Sequence, residues 1–124
     1  MSFRQPATDD FLADAYLKHY ETGDDSLAWA FSTVNGIILR DAERGWAITL
    51  ALIANACTDN ALGYVAAGPL EEMLEVHGNT IIDRVEDLAR SEPKFRRALS
   101  FVTCFKDSMP ETVRSRIGQI VAGL

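Results

Sequence analysis

Apolar residues recur along most of this chain at helical spacing, and they are densest in one run. That run is Trp46-Ala-Ile-Thr-Leu-Ala-Leu-Ile-Ala-Asn-Ala-Cys57, where only Thr49 and Asn55 are polar. At about 1.5 Å per residue it makes roughly 18 Å of helix, short of the ~20 residues a membrane span needs. It contains no Gly or Pro and is rich in Ala and Leu, which favour helix over strand. A helix apolar on nearly every side must be surrounded by other elements. The pattern therefore predicts a buried central helix over 46–57. Asn55 is expected to be a buried amide that caps backbone or holds a neighbouring helix.

Amphipathic segments flank this run. Residues 1–7 read as a flexible lead, with Thr8 as a cap and Asp9 and Asp10 in a first turn that favours acids. Phe11, Leu12, Ala15, Tyr16, His19 and Tyr20 follow at helical spacing up to Gly23. Asp25 or Ser26 is expected to cap a helix burying Leu27, Phe31, Val34 and Ile38, with Trp29 and Ile37 on its flanks. Asp59 is expected to cap a short helix that Gly68 breaks. Pro69 then stands where a first helical residue belongs, Glu71 and Glu72 occupy that first turn, and Leu70, Met73 and Leu74 face inward. Gly78 reads as the C-terminal stop and Asn79 as the next cap. Ile81, Ile82, Val85, Leu88 and Ala89 form another stripe, then Phe95, Ala98, Leu99, Val102 and Phe105. Val113, Ile117, Ile120 and Val121 form the last, after Pro110.

No stretch alternates with period two between turn signals, so no sheet is expected. Short linkers between successive helices force antiparallel neighbours. The fold class is all-α: one domain over 1–124, with about seven or eight helices stacked as antiparallel hairpins around the helix at 46–57. A chain of 124 residues can bury such a core without staples.

Charge narrows the choice of partners. Through Asp87 the chain carries fifteen acidic and five basic residues, a net −10; from Leu88 onward, three acidic and seven basic give +4. The acidic part argues against binding a nucleic-acid backbone, which needs a basic face. Arg90, Lys94, Arg96 and Arg97 are expected to pair with acids of the same fold, an anionic ligand being the sharper alternative. Cys57 and Cys104 sit among apolar residues and read as a reduced, buried pair in a cytoplasmic protein. No apolar run follows Arg4, so no signal peptide is expected.

Candidate chemistry is sparse. Neither His19 nor His77 has a carboxylate or a second His at three or four positions, so no local two-ligand metal face exists. His77 fits a last-turn position where an N–H donor meets free carbonyls. His19 reads as a satisfied, partly buried histidine, with an acid–base role beside acidic residues as the alternative. Ser91-Glu-Pro-Lys94 has the letters of a Ser-x-x-Lys pair but none of the further motifs an acyl-enzyme needs, and it reads as a helix start. The glycines at 36, 45, 63, 68 and 78 stand singly, so no phosphate loop is present. Glu72, Glu75, Asp83, Glu86 and Asp87 form the most concentrated acidic run and are expected to be a solvated acidic face. Glu71 is expected to be a structural anchor on a free backbone N–H, on Arg84 or on Arg96.

At Ala67-Gly-Pro-Leu-Glu71, Leu74, His77-Gly78, Ile82-Asp83-Arg84, Glu86, Ala89-Arg90, Pro93 and Phe95-Arg96, the chain resembles a family of small bacterial domains of unknown function. Trp46 resembles that family's upstream tryptophan. The likeness covers roughly 46–102. A tryptophan frequent near the end of the family's following helix is replaced here by Phe101-Val-Thr-Cys-Phe105. The resemblance implies a small stand-alone bacterial protein and brings no reaction, cofactor or catalytic residue. Gly68, Pro69, Leu70, Glu71, His77 and Gly78 read as its structural motif.

Three functions remain. The first is a non-enzymatic protein-binding module of immunity or inhibitor type, with Glu72, Glu75, Asp83, Glu86 and Asp87 presented to a basic, toxin-like partner. The second is a homo-oligomeric scaffold, a homodimer through Trp29, Phe31 or Phe101. The third is a small enzyme using acids near His19. No cofactor, metal, nucleic acid or membrane is expected.

Overall fold

The computed structural model describes residues 5–102 and 109–123. It is an all-α domain. Its helices are α1 (Gln5–Thr22), α2 (Ala28–Arg40), α3 (Ala42–Asn55), α4 (Asp59–Val65), α5 (Glu71–Ser91), α6 (Pro93–Ser100) and α7 (Glu111–Ala122). A 3₁₀ turn at Asp25–Leu27 precedes α2, and a π-helical turn at Ala66–Leu70 joins α4 to α5. Helix therefore runs on through Gly68 and Pro69, and within α5 the backbone leaves helical angles only at His77. No strand occurs among the described residues.

Helix α3 holds the centre, packed by α1, α2, α4, α5 and α6. Its bounds differ from the predicted 46–57. Asp41 caps it by accepting a hydrogen bond from the Arg44 N–H at 3.1 Å, so the helix begins before the apolar run. It ends at Asn55, and Cys57 lies beyond it, exposed. Only one side is buried, by Gly45, Ile48, Thr49, Leu52 and Ile53; Trp46, Leu50 and Ala51 are half-buried and Ala54 is exposed. The buried Thr49 hydroxyl donates back to the Gly45 carbonyl at 2.7 Å, which satisfies it inside the helix. Asn55 does hold backbone and a neighbouring helix, through the Ala51 carbonyl and Asp10 of α1, but it does so exposed.

Several ends differ from expectation for local reasons. Helix α1 runs from Gln5, so Thr8 is inside it; Pro6 fits the first turn, where its missing N–H costs nothing. Asp24, rather than Asp25 or Ser26, caps the 3₁₀ turn by accepting from the Ser26 N–H at 2.9 Å. It follows Gly23, whose φ of 69° ends α1 in the left-handed region. Thr58, rather than Asp59, caps α4 by accepting from the Ala61 N–H.

The break expected at Gly68 is absent, and the one expected at Gly78 is present as a kink one residue earlier. Pro69 cannot donate to the carbonyl four residues earlier and its ring crowds that carbonyl. The chain answers by widening one turn: the Glu71 N–H bonds the Ala66 carbonyl five residues back. Gly78 lies inside α5, just after a kink at His77 (φ −122°, ψ 15°). A Cβ at Gly78 would sit 2.8 Å from Cγ2 of Val113, so the glycine serves close contact with α7 rather than a helix stop.

Candidate functional site

Two surface features stand apart from the packed interior. One is the α1–α2 ridge. Phe11, Trp29, Phe31 and Leu39, all on these two helices, are 68%, 45%, 46% and 52% exposed, although Phe11 and Phe31 were expected inside. Phe11 stacks on Trp29 with ring centroids 6.2 Å apart. At 100° per residue, Asp10, Phe11, Asp14, Lys18 and Glu21 share one arc of α1, and each is exposed. Asp24 and Asp25 extend the acidic surface past its end. From Asp9 to Thr33 the chain carries six carboxylates and one cation other than histidine, Lys18, which pairs with Asp14 at 3.6 Å. Hydrogen bonds from Ser26 hold the Asp24 carboxyl below its ordinary range. Asp9 differs from the others: it is buried and meets Arg44 of α3 at 3.1 Å, tying α1 to the core.

The second feature is a cleft beside the π-helical turn. Its lining includes Tyr16, Phe31, Asn35, Gly68, Pro69 and Glu72, and its volume is about 60 Å³. Gly68 faces the Tyr16 hydroxyl, which a Cβ there would meet at 3.5 Å, an ordinary contact. Tyr16 stacks on Phe31 at 6.0 Å and meets Tyr64 at 5.8 Å, and Tyr64 stacks on Tyr20 at 4.2 Å. Burial, then Tyr64 and Glu72, push the Tyr16 phenol well above its ordinary range, so it stays neutral.

The five predicted acids do not make one face. Glu72 lies at the cleft, on the N-terminal side of the His77 kink. Glu75 is half-buried on the same side, with Oε2 lacking a hydrogen-bond partner among the described residues. Asp83, Glu86 and Asp87 lie beyond the kink and are neutralised locally. Arg116 of α7 pairs with Asp83 at 3.1 Å and with Glu86, and Arg90 pairs with Glu86 at 2.8 Å and Asp87 at 3.3 Å.

Most of the motif residues lie inside the fold. Leu70, Leu74 and Pro69 are buried, and Glu71 is a buried carboxylate, 3% exposed. The His77 ring does find a helix-terminal carbonyl, but on another helix: its Nε2–H donates to the Ile38 carbonyl in the last turn of α2 at 2.6 Å. Nδ1 of His19 lies 3.1 Å from the Asp24 carbonyl, fastening the turn after α1. Of the four basic residues expected to pair with acids, Arg90 and Arg97 do so, whereas Lys94 and Arg96 meet backbone carbonyls instead. Lys94 donates to the Ala54 carbonyl at the end of α3, Arg96 to the Ala89 carbonyl near the end of α5, and Arg97 to Asp59 through two nitrogens. That bond from Arg97 lowers the Asp59 carboxyl below its usual range, and Arg84 does the same to Glu43. Arg97 also lies 5.3 Å from the Phe101 ring centroid. Cys104 and Phe105 lie outside the described residues.

Among the described residues no three His, Cys, Asp or Glu side chains gather as a metal site, and no helix is long and apolar enough to cross a membrane. The molecule is thus a small all-α domain wrapped around α3, with an acidic, aromatic ridge at one end of the chain. It belongs to the family of unknown function DUF6869, whose model matches residues 18–123. No curated protein and no solved structure matches the chain.

Proposed function

We propose that this protein is a non-enzymatic protein-binding module of immunity or inhibitor type that presents an acidic surface to a basic partner in the cytoplasm. The reading rests on one observation: a stacked, exposed Phe11–Trp29 pair borders a run of acids with few cations of its own. Exposed aromatic pairs supply the desolvated centre of a docking surface, and unneutralised acids around them steer a basic partner and reject acidic ones. We accordingly set the docking surface on α1 and α2, not on Asp83, Glu86 and Asp87 of α5, which already pair with Arg90 and Arg116.

A homodimer through Trp29 is the weaker reading, because an isologous contact would set this acidic surface against itself. Co-purification from the native cells tests the choice. A basic protein retained at low salt, released by salt, and lost with the double variant Phe11→Ser/Trp29→Ser supports the module. A self-associating chain, or retention that the double variant leaves intact, overturns it.

A further inference from the structure

We propose that the cleft beside the π-helical turn is a socket for the cationic end of a basic side chain, the ammonium of a lysine or the guanidinium of an arginine. Its source, a docked basic protein, rests on the function proposed above; the socket's chemistry does not.

Three observations carry the assignment. Two aromatic rings, Tyr16 and Phe31, stacked with centroids 6.0 Å apart, line the cleft beside the aliphatic Val34, Ile38 and Pro69. A cation within about 6 Å of such faces gains roughly 0.5–2 kcal/mol, more as water is excluded. Of the polar lining, the Tyr16 hydroxyl is engaged by Tyr64, which leaves the side chains of Glu72 and Asn35. Glu72 and Asn35 make no side-chain hydrogen bond or ion pair among the described residues, and no basic residue lines the cleft. A carboxylate and an amide oxygen beside aromatic faces are what an ammonium or guanidinium requires. Size then selects the ligand. About 60 Å³ is roughly two water volumes, enough for a charged head and an adjoining methylene. It is well below the ~300 Å³ where small-molecule pockets begin. Raised burial keeps Tyr16 neutral, so Glu72 alone supplies formal negative charge there.

The π turn contributes Gly68 and Pro69 to the lining. It places Gly68 opposite the Tyr16 hydroxyl and carries Glu72 onto the cleft one turn later.

The test is an NMR titration of labelled full-length protein with n-butylammonium, and in parallel with uncharged 1-butanol. Saturable shifts at Tyr16, Phe31, Asn35 and Glu72 with the ammonium, and binding at least about tenfold weaker for the alcohol, are expected. Glu72→Gln should weaken the ammonium about tenfold, and Phe31→Leu, at an exposed position, several-fold. Equal binding of the alcohol overturns the socket, as do non-saturating shifts or shifts on the acidic arc of α1. If Glu72→Gln does not fold by circular dichroism, Phe31→Leu decides: unchanged affinity overturns the assignment. Butylammonium bound at these residues with no basic protein partner sinks the protein-binding reading and leaves the socket. A basic partner that leaves the four residues unshifted sinks the socket alone.

Discussion

At Gly78 the backbone of α5 lies against a β-branched side chain, and a methyl group there would meet Val113 Cγ2 at 2.8 Å. Val has little rotamer freedom with which to give way. Gly78→Ala should therefore lose about 1–2 kcal/mol despite its better helix propensity, because overpacking outweighs a gain of up to ~1 kcal/mol. Gly63 of α4 has nothing within 4 Å of the same added atom. Gly63→Ala should gain roughly 0.5–1 kcal/mol. Urea unfolding of the two variants reads the opposite signs. Tyr16 makes a second prediction at this scale. Its phenol is raised by burial and by Tyr64, so the folded protein holds that proton more tightly than the unfolded chain. Stability should fall as pH rises above the ordinary tyrosine value of about 10. An absorbance titration should show one of the three tyrosines ionising last, and only as the fold is lost.

Residue identities were legible at this scale, but their partners were not. A glycine before a polar residue signals a stop when nothing packs on it, and Gly78 is used for contact with a helix more than thirty residues away. In the same way His77 suits a carbonyl-rich helix end, and only the fold shows that the end belongs to α2. Phe11 and Phe31 sit at helical spacing with buried neighbours, so periodicity alone puts them inside. Their 68% and 46% exposure comes from where α1 and α2 meet.

Between residues and the whole domain, helix ends decide the architecture. Asp41 and Thr58 each accept a backbone N–H in a first turn, so Asp41→Ala and Thr58→Ala should each cost about 1 kcal/mol, read by thermal or urea unfolding. Asp59→Ala should cost less: its bond to Arg97 is exposed, where ion pairs are worth little. The basic third of the chain acts largely at this scale, with Lys94 and Arg96 donating to carbonyls near the ends of α3 and α5. The all-α class and the central place of α3 were both readable from periodicity, since a run that apolar has to be covered. The continuity through Gly68 and Pro69 was not, because Pro and Gly in sequence look alike whether they end a helix or widen one turn of it.

Over the whole molecule, the acids of α5 beyond the kink are paired with arginines of α5 and α7, while those of α1 and the turn after it meet few cations. Arg116 lies thirty or more positions from Asp83 and Glu86, so linear charge counting could not anticipate the pairing. The remaining charge surrounds exposed aromatic rings, and docking of a basic protein is expected to centre there. The most direct measurement is amide hydrogen exchange on the complex with the basic protein that co-purifies. Slowed exchange in residues 10–33, with α6 and α7 unchanged, is the predicted result; slowed exchange over Asp83–Arg90 and α7 that leaves 10–33 unchanged would contradict it.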